Sequence, residues 1–197
     1  MEDAIKGLST QFNFIPTIEN ADALKPADSF VVCGMGGSHL SAGLLKIYNP
    51  AYNIHVHRDY GLPTLSEKRF ANSMFIASSY SGNTEEVIDF AAAAYGKKHN
   101  VVAIAIGGKL IEWAQKNGVP YIQLPDTGIQ PRSAVGFSII ALAKLVGGDE
   151  AVGQLNLLGT RLSPLRLDAA GQELARTLHG KVPVVYASRT NLPIAYN

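Results

Sequence analysis

The chain has 197 residues, 47% hydrophobic and 17% charged, which allows a sizeable buried core and argues against a disordered chain. Seventeen basic residues balance 16 acidic ones for a formal net charge of +1, so the composition offers no charge field for nucleic acid or a membrane surface. A single cysteine, Cys33, excludes an intrachain disulfide, no run approaches the roughly 18 apolar residues of a membrane span, and MEDAIKGLST has no signal-peptide core. The expectation is a soluble, cytoplasmic protein.

Residues 2–24 carry a weak helical pattern broken at Pro16, read as a lead-in helix and a loop. Residues 29–33 (SFVVC) form a short apolar run ending at glycine, as expected for a strand buried on both faces. GMGGSH follows, then SAGLLKIY with helical spacing. Residues 54–57 (IHVH) and 74–78 (MFIAS) predict the second and third strands. The third runs into SYSGNTEE and an alanine-rich helix over 87–95. Residues 101–106 (VVAIAI) predict a fourth strand, followed by a helix near 109–116. Residues 121–124 (YIQL) predict a fifth, followed by DTGIQPR and an apolar helix over 134–146.

Strands alternating with helices imply right-handed crossovers and a doubly wound parallel sheet of five strands. We expect a lead-in at 1–26, the sheet domain at 27–148 and a helical linker at 149–180. At 181–197, VPVVYAS (182–188) reads as the first strand of a second, incomplete α/β unit. In such sheets ligands bind at the carboxyl ends of the strands, so the loops after strands one, three and five carry the interest.

The first loop is Gly34-Met35-Gly36-Gly37-Ser38-His39. Its glycines permit a sharp turn and bring amides towards a ligand, and the helix start behind them favours an anion. The spacing differs from G-x-G-x-x-G, although Arg58-Asp59 falls near a ribose-binding position, and a plain tight turn stays open. The second loop, Ser78 to Glu86, holds Ser79, Ser81 and Thr84 around Gly82 at a helix start. One hydroxyl suffices to cap a helix, and several point to a phosphate, whose oxygens accept clustered O–H and N–H donors. The third, Gln130-Pro131-Arg132-Ser133, puts a guanidinium at the same edge.

His55 and His57 share a strand face without a third metal ligand nearby in sequence. His39 faces either ligand or solvent. His99 and His179 read as solvated, and Cys33 as inert packing. No G-x-S-x-G elbow surrounds Ser38 or Ser81, which argues against a hydrolase.

GMGGS at 34–38, SYSGNTEE at 79–86 and QPR at 130–132 together resemble the sugar isomerase (SIS) domain superfamily, and within it the bifunctional phosphoglucose/phosphomannose isomerases. The resemblance implies a flavodoxin-like SIS domain and a phosphosugar ligand held by Gly36, Gly37, Ser38, Ser79, Ser81 and Thr84. It implies aldose–ketose isomerisation through a cis-enediol, with Arg132 stabilising the enediolate, as a step of glycolysis and gluconeogenesis. It implies no metal or organic cofactor, no nucleic-acid partner and a homodimer. The family's base glutamate and ring-opening histidine belong to a second SIS domain and have no counterpart here. The expectation is therefore a C-terminally truncated chain with little turnover of its own, the alternative being a non-catalytic phosphosugar-binding regulatory module.

Overall fold

A computed structural model describes residues 2–196. The lead-in is two short helices, α1 (Glu2–Lys6) and α2 (Leu8–Gln11), separated at Gly7, followed by a 3-10 turn at Ala21–Ala23. Then come β1 (Ser29–Cys33), α3 (Leu40–Tyr48), β2 (Ile54–His57), α4 (Glu67–Ala71), β3 (Ser73–Ser78), α5 (Glu85–Gly96), β4 (Asn100–Ala105), α6 (Gly108–Asn117), β5 (Tyr121–Gln123) and α7 (Val135–Asn156). Short α8 (Leu158–Arg161), α9 (Pro164–Leu178) and α10 (Leu192–Tyr196) complete the chain.

The five strands form one parallel sheet in the order β2-β1-β3-β4-β5, the flavodoxin-like arrangement the resemblance implies. Val32 pairs with Val56 on one side and Ile76 on the other, and Ile76 pairs in turn with Val102. Successive side chains alternate between faces. Val32, Ile76, Val102 and Ile104 pack with α3 and α7, whereas Val31, Phe75, Ala77 and Ala103 pack with α5 and α6. Every residue of β1 and β3 is buried, which is why both read as unbroken apolar runs. The free edge of β5 is covered by an antiparallel bridge from the lead-in, with the Glu19 amide donating to the Tyr121 carbonyl at 2.9 Å.

Three elements differ from expectation. α4 is a five-residue helix, too short to show a 3.6 period in sequence. α7 runs on past residue 148, interrupted at Gly148 (φ 65°, ψ −159°), and Ala151, Val152 and Leu155 beyond it share a core with Phe12 of the lead-in. The Asn156 side-chain amide donates to the carbonyls of Phe12 and Phe14. The strand expected at 182–188 does not form. These residues pair with no other strand, and Tyr186 is 90% exposed. A strand needs a neighbour to receive its amides and carbonyls, and none of the described residues supplies one.

Candidate functional site

The loops after β1, β3 and β5 meet at the carboxyl edge of the sheet. β1 and β3 are adjacent, so their loops emerge side by side. Ser38 lies in a 3-10 turn (Gly36–His39) and is buried, and its Oγ accepts the backbone amide of Tyr80 at 3.1 Å. The loop after β5 closes on the first loop from the other side. A Cβ added to Gly37 would lie 3.0 Å from the Pro131 carbonyl oxygen and 3.1 Å from the Arg132 amide nitrogen. Glycine at 37 therefore lets the two backbones touch, whatever its dihedral angles.

Within the second loop the hydroxyls are organised before any ligand arrives. Ser79 Oγ and Thr84 Oγ1 are 2.8 Å apart and share a hydrogen bond, while the Gly82 amide donates to Ser79 Oγ at 3.1 Å. The Asn83 amide donates to Ser81 Oγ at 3.3 Å. A hydroxyl that accepts a backbone N–H keeps its own proton to give away, so Ser38 and Ser81 remain potential donors. Ser79 is 1% exposed and acts as framework, whereas Ser81 is exposed and Thr84 half-buried. Thr84 is also the N-cap of α5, where helix amides and the macrodipole favour an anion. Glu85 and Glu86 occupy the first turn. Tyr60, after β2, reaches Glu85 with its hydroxyl at 3.5 Å, and the neighbouring Gly61 amide donates to Asp89 at 2.7 Å.

The second loop is itself fixed by the loop after β4. Gly82 has φ +72°, and an added Cβ would overlap the Gly107 carbonyl oxygen. The Leu110 amide donates to the Gly82 carbonyl at 2.9 Å, and the Lys109 amide to Asn83 Oδ1 at 3.2 Å. Sequence reasoning did not assign a role to Asn83, Gly107 or Gly108, whose only signal was a Gly-Gly pair after an apolar run.

Arg132 is exposed in the 3-10 turn Pro131–Ala134 that leads into α7. It borders a cavity of about 310 Å³ whose other walls include Ile5 and Leu8 of the lead-in. Burial, and then the positive charge of Arg58, hold the His39 imidazole below its ordinary pKa, with Arg132 adding to the effect. His39 thus belongs to the same edge as the two arginines. His57 points elsewhere: its ring lies 5.8 Å from Phe90 and its Nε2 3.1 Å from the Gly61 carbonyl oxygen. Among the described residues no group of three or more His, Cys, Asp or Glu side chains is gathered as a metal site requires. A cavity of about 420 Å³ between α1 and α9 touches none of the three loops; the chemistry of the loops, not cavity size, locates the site. No described helix is long and apolar enough to cross a membrane.

Comparison with known proteins accords with this geometry. The bifunctional phosphoglucose/phosphomannose isomerase of Aquifex aeolicus is 30% identical over 201 residues, covering 99% of this chain and 61% of that protein. The enzyme of the same name from Caldicellulosiruptor bescii is 40% identical over 121 residues, 60% of this chain and 34% of that protein. By sequence the chain is similar to bifunctional phosphoglucose/phosphomannose isomerases. A further relative is the D-glucosamine-6-phosphate 4-epimerase of Sulfolobus acidocaldarius, 30% identical over 87% of this chain and 55% of that protein. The chain therefore spans only about a third to three fifths of the length of these relatives. No protein-family model matches. The fold is shared with the C-terminal domain of glucosamine-fructose-6-phosphate aminotransferase from Francisella tularensis, which superposes with a TM-score of 0.64 at 14% identity, over 98% of this chain and 63% of that one.

Proposed function

We propose that the three loops bind the phosphate of a hexose 6-phosphate, and that the domain serves the interconversion of glucose 6-phosphate or mannose 6-phosphate with fructose 6-phosphate. The observation that carries this reading is the Ser79–Thr84–Gly82 hydrogen-bond cluster at the start of α5, tied to Ser38 through Tyr80. A monoester dianion requires several converging O–H and N–H donors, and no other described part of the sheet edge concentrates them. Gly36 and Gly37 contribute backbone, Ser81 and Thr84 contribute hydroxyls, and Ser38 and Ser79 hold the frame and add donors.

In the isomerisation a base removes the proton from C2 of the open-chain aldose and returns it to C1. Negative charge gathers on the oxygens of C1 and C2 in between. A guanidinium fixed beside those oxygens lowers the barrier because its interaction strengthens as the charge develops. Arg132 takes that role. By resemblance the proton-moving base and the ring-opening group lie outside these 197 residues, and the chain alone binds far better than it turns over.

Calorimetric titration with fructose 6-phosphate tests the cradle. Ser81→Ala with Thr84→Ala should weaken binding at least about tenfold, the loss of roughly 1.4 kcal/mol; unchanged affinity sinks the assignment. Epimerisation of an aminosugar phosphate is the second reading, favoured by the 4-epimerase relative, and preference for glucosamine 6-phosphate over fructose 6-phosphate would select it. Binding without exchange of the C1 and C2 hydrogens into deuterated water, even with the missing groups supplied, would select the regulatory module.

A further inference from the structure

The lead-in segment reaches the site through one buried side chain. Gln11 closes α2 and is only 3% exposed, an unusual place for a long polar amide. Its Nε2 donates to the Ser133 carbonyl at 2.7 Å, and its Oε1 accepts the Gly136 amide at 2.9 Å. Both partners are backbone groups, so the orientation of the amide is set by them. They flank the end of the Pro131–Ala134 turn, and Gly136 is in the first turn of α7, whose own N-cap residue, Ala134, supplies no side-chain cap. Gln11 thus caps α7 from another element, satisfying one orphan amide and one turn carbonyl at once.

The same turn carries Arg132, one residue before Ser133. It is clamped from two directions: Gly37 of the first loop packs on the Pro131 carbonyl and the Arg132 backbone, and Gln11 bonds to the residues that follow. Gly136 has no side chain where Gln11 lies, since an added Cβ would come within 2.7 Å of Gln11 Cβ and Oε1. The Arg132 guanidinium is exposed and makes no hydrogen bond among the described residues, so its placement depends on its backbone.

We infer that Gln11 is a positioning residue for Arg132, setting where the guanidinium stands relative to the reacting carbons. The inference rests on the proposed role of Arg132. Without the two Gln11 bonds the turn can shift, and a displacement of about an ångström suffices to cost large factors in an oriented interaction. The loss should fall on the charge at C1 and C2 and spare the phosphate, which is held by the other loops.

Two probes separate these: inorganic phosphate, which reports the cradle alone, and a five-carbon aldonic acid 5-phosphate, whose planar carboxylate mimics the enediolate. Gln11→Met, similar in volume without hydrogen-bonding ends, should weaken the aldonate about tenfold while phosphate changes less than about twofold. In an Arg132→Ala background Gln11→Met should have no further effect, because the two act as a unit. If Gln11→Met fails to fold, Gln11→Glu replaces it: it keeps the acceptor for Gly136 and sets a carboxylate against the Ser133 carbonyl. Its aldonate affinity relative to wild type should be poor at neutral pH and recover as acid restores the donor. Equal losses for both probes, persisting without Arg132, would show a merely structural role, and no loss would overturn the inference directly. Wild-type protein that binds neither probe would overturn the proposed function, and this inference with it.

Discussion

Ser38 Oγ accepts the Tyr80 amide across 42 positions of sequence, joining the loop after β1 to the loop after β3. Both residues are buried, so no water can replace the hydroxyl. Ser38→Ala should destabilise the fold by about 1–3 kcal/mol, the cost of stranding a buried donor, and should also weaken fructose 6-phosphate binding. Urea unfolding and calorimetry on one preparation check both; loss of affinity with full stability would mean that Ser38 touches ligand without holding the frame.

Gly82→Ala places a methyl group on the Gly107 carbonyl at φ +72°. The left-handed conformation alone costs about 1–2 kcal/mol for a residue with a Cβ, and the overlap adds to it. Unfolding midpoints should drop by more than they do for Gly96→Ala, where an added Cβ meets nothing within 4 Å.

Cys33 is fully buried in β1, and burial first, then the charges of Glu86 and Asp89, push its thiol up to about 12. The thiolate is the reactive form. Ellman's reagent at neutral pH should leave the native protein unlabelled and titrate one thiol per chain in denaturant; rapid native labelling would contradict the packing of β1.

His39, His55 and His99 all lie below their ordinary 6.5, burial being the largest cause in each, with Arg58, Arg69 and Lys97 respectively next. The unfolded chain protonates first as pH falls, so it binds more protons and gains relative to the native state. The native state's advantage is complete above about pH 6.5 and declines as pH falls from there towards the lowered native values. Melting temperature should decrease between about pH 7.5 and 5.5, and His39→Gln should remove part of that slope. A flat profile would refute the burial of these rings.

Val182, Val184, Val185 and Tyr186 stand exposed in an unpaired stretch. Such a segment invites pairing with another chain. Val184→Lys with Tyr186→Ser should reduce concentration-dependent light scattering while changing stability by no more than about 0.5 kcal/mol, as expected for surface positions.

Much of the fold was readable because each signal was local. β1 and β2 fall on the residues expected, β1 as a short apolar run ending at glycine and β2 as an alternating segment at the sheet edge. α5 and α6 begin and end within two residues of the helical pattern. The hydroxyl-rich loop was visible because a helix start needs one cap and this one offers several. Gln11, Tyr80 and Asn83 were not visible: the Gln11 and Asn83 side chains meet backbone groups, and the Tyr80 amide meets Ser38 Oγ, only after folding brings them near, and nothing in the sequence marks those partners.

Alternating apolar runs and glycine-punctuated loops determined by themselves that this is a parallel α/β sheet with donors at its carboxyl edge. Strand geometry and loop chemistry are properties of consecutive residues. Which loops touch was decided only in three dimensions. The strand order sets β1 beside β3, Gly37 admits the turn bearing Arg132, and the lead-in folds back to cap α7 through Gln11. The fate of residues 182–188 was decided there too, because a strand exists only with a neighbour to bond.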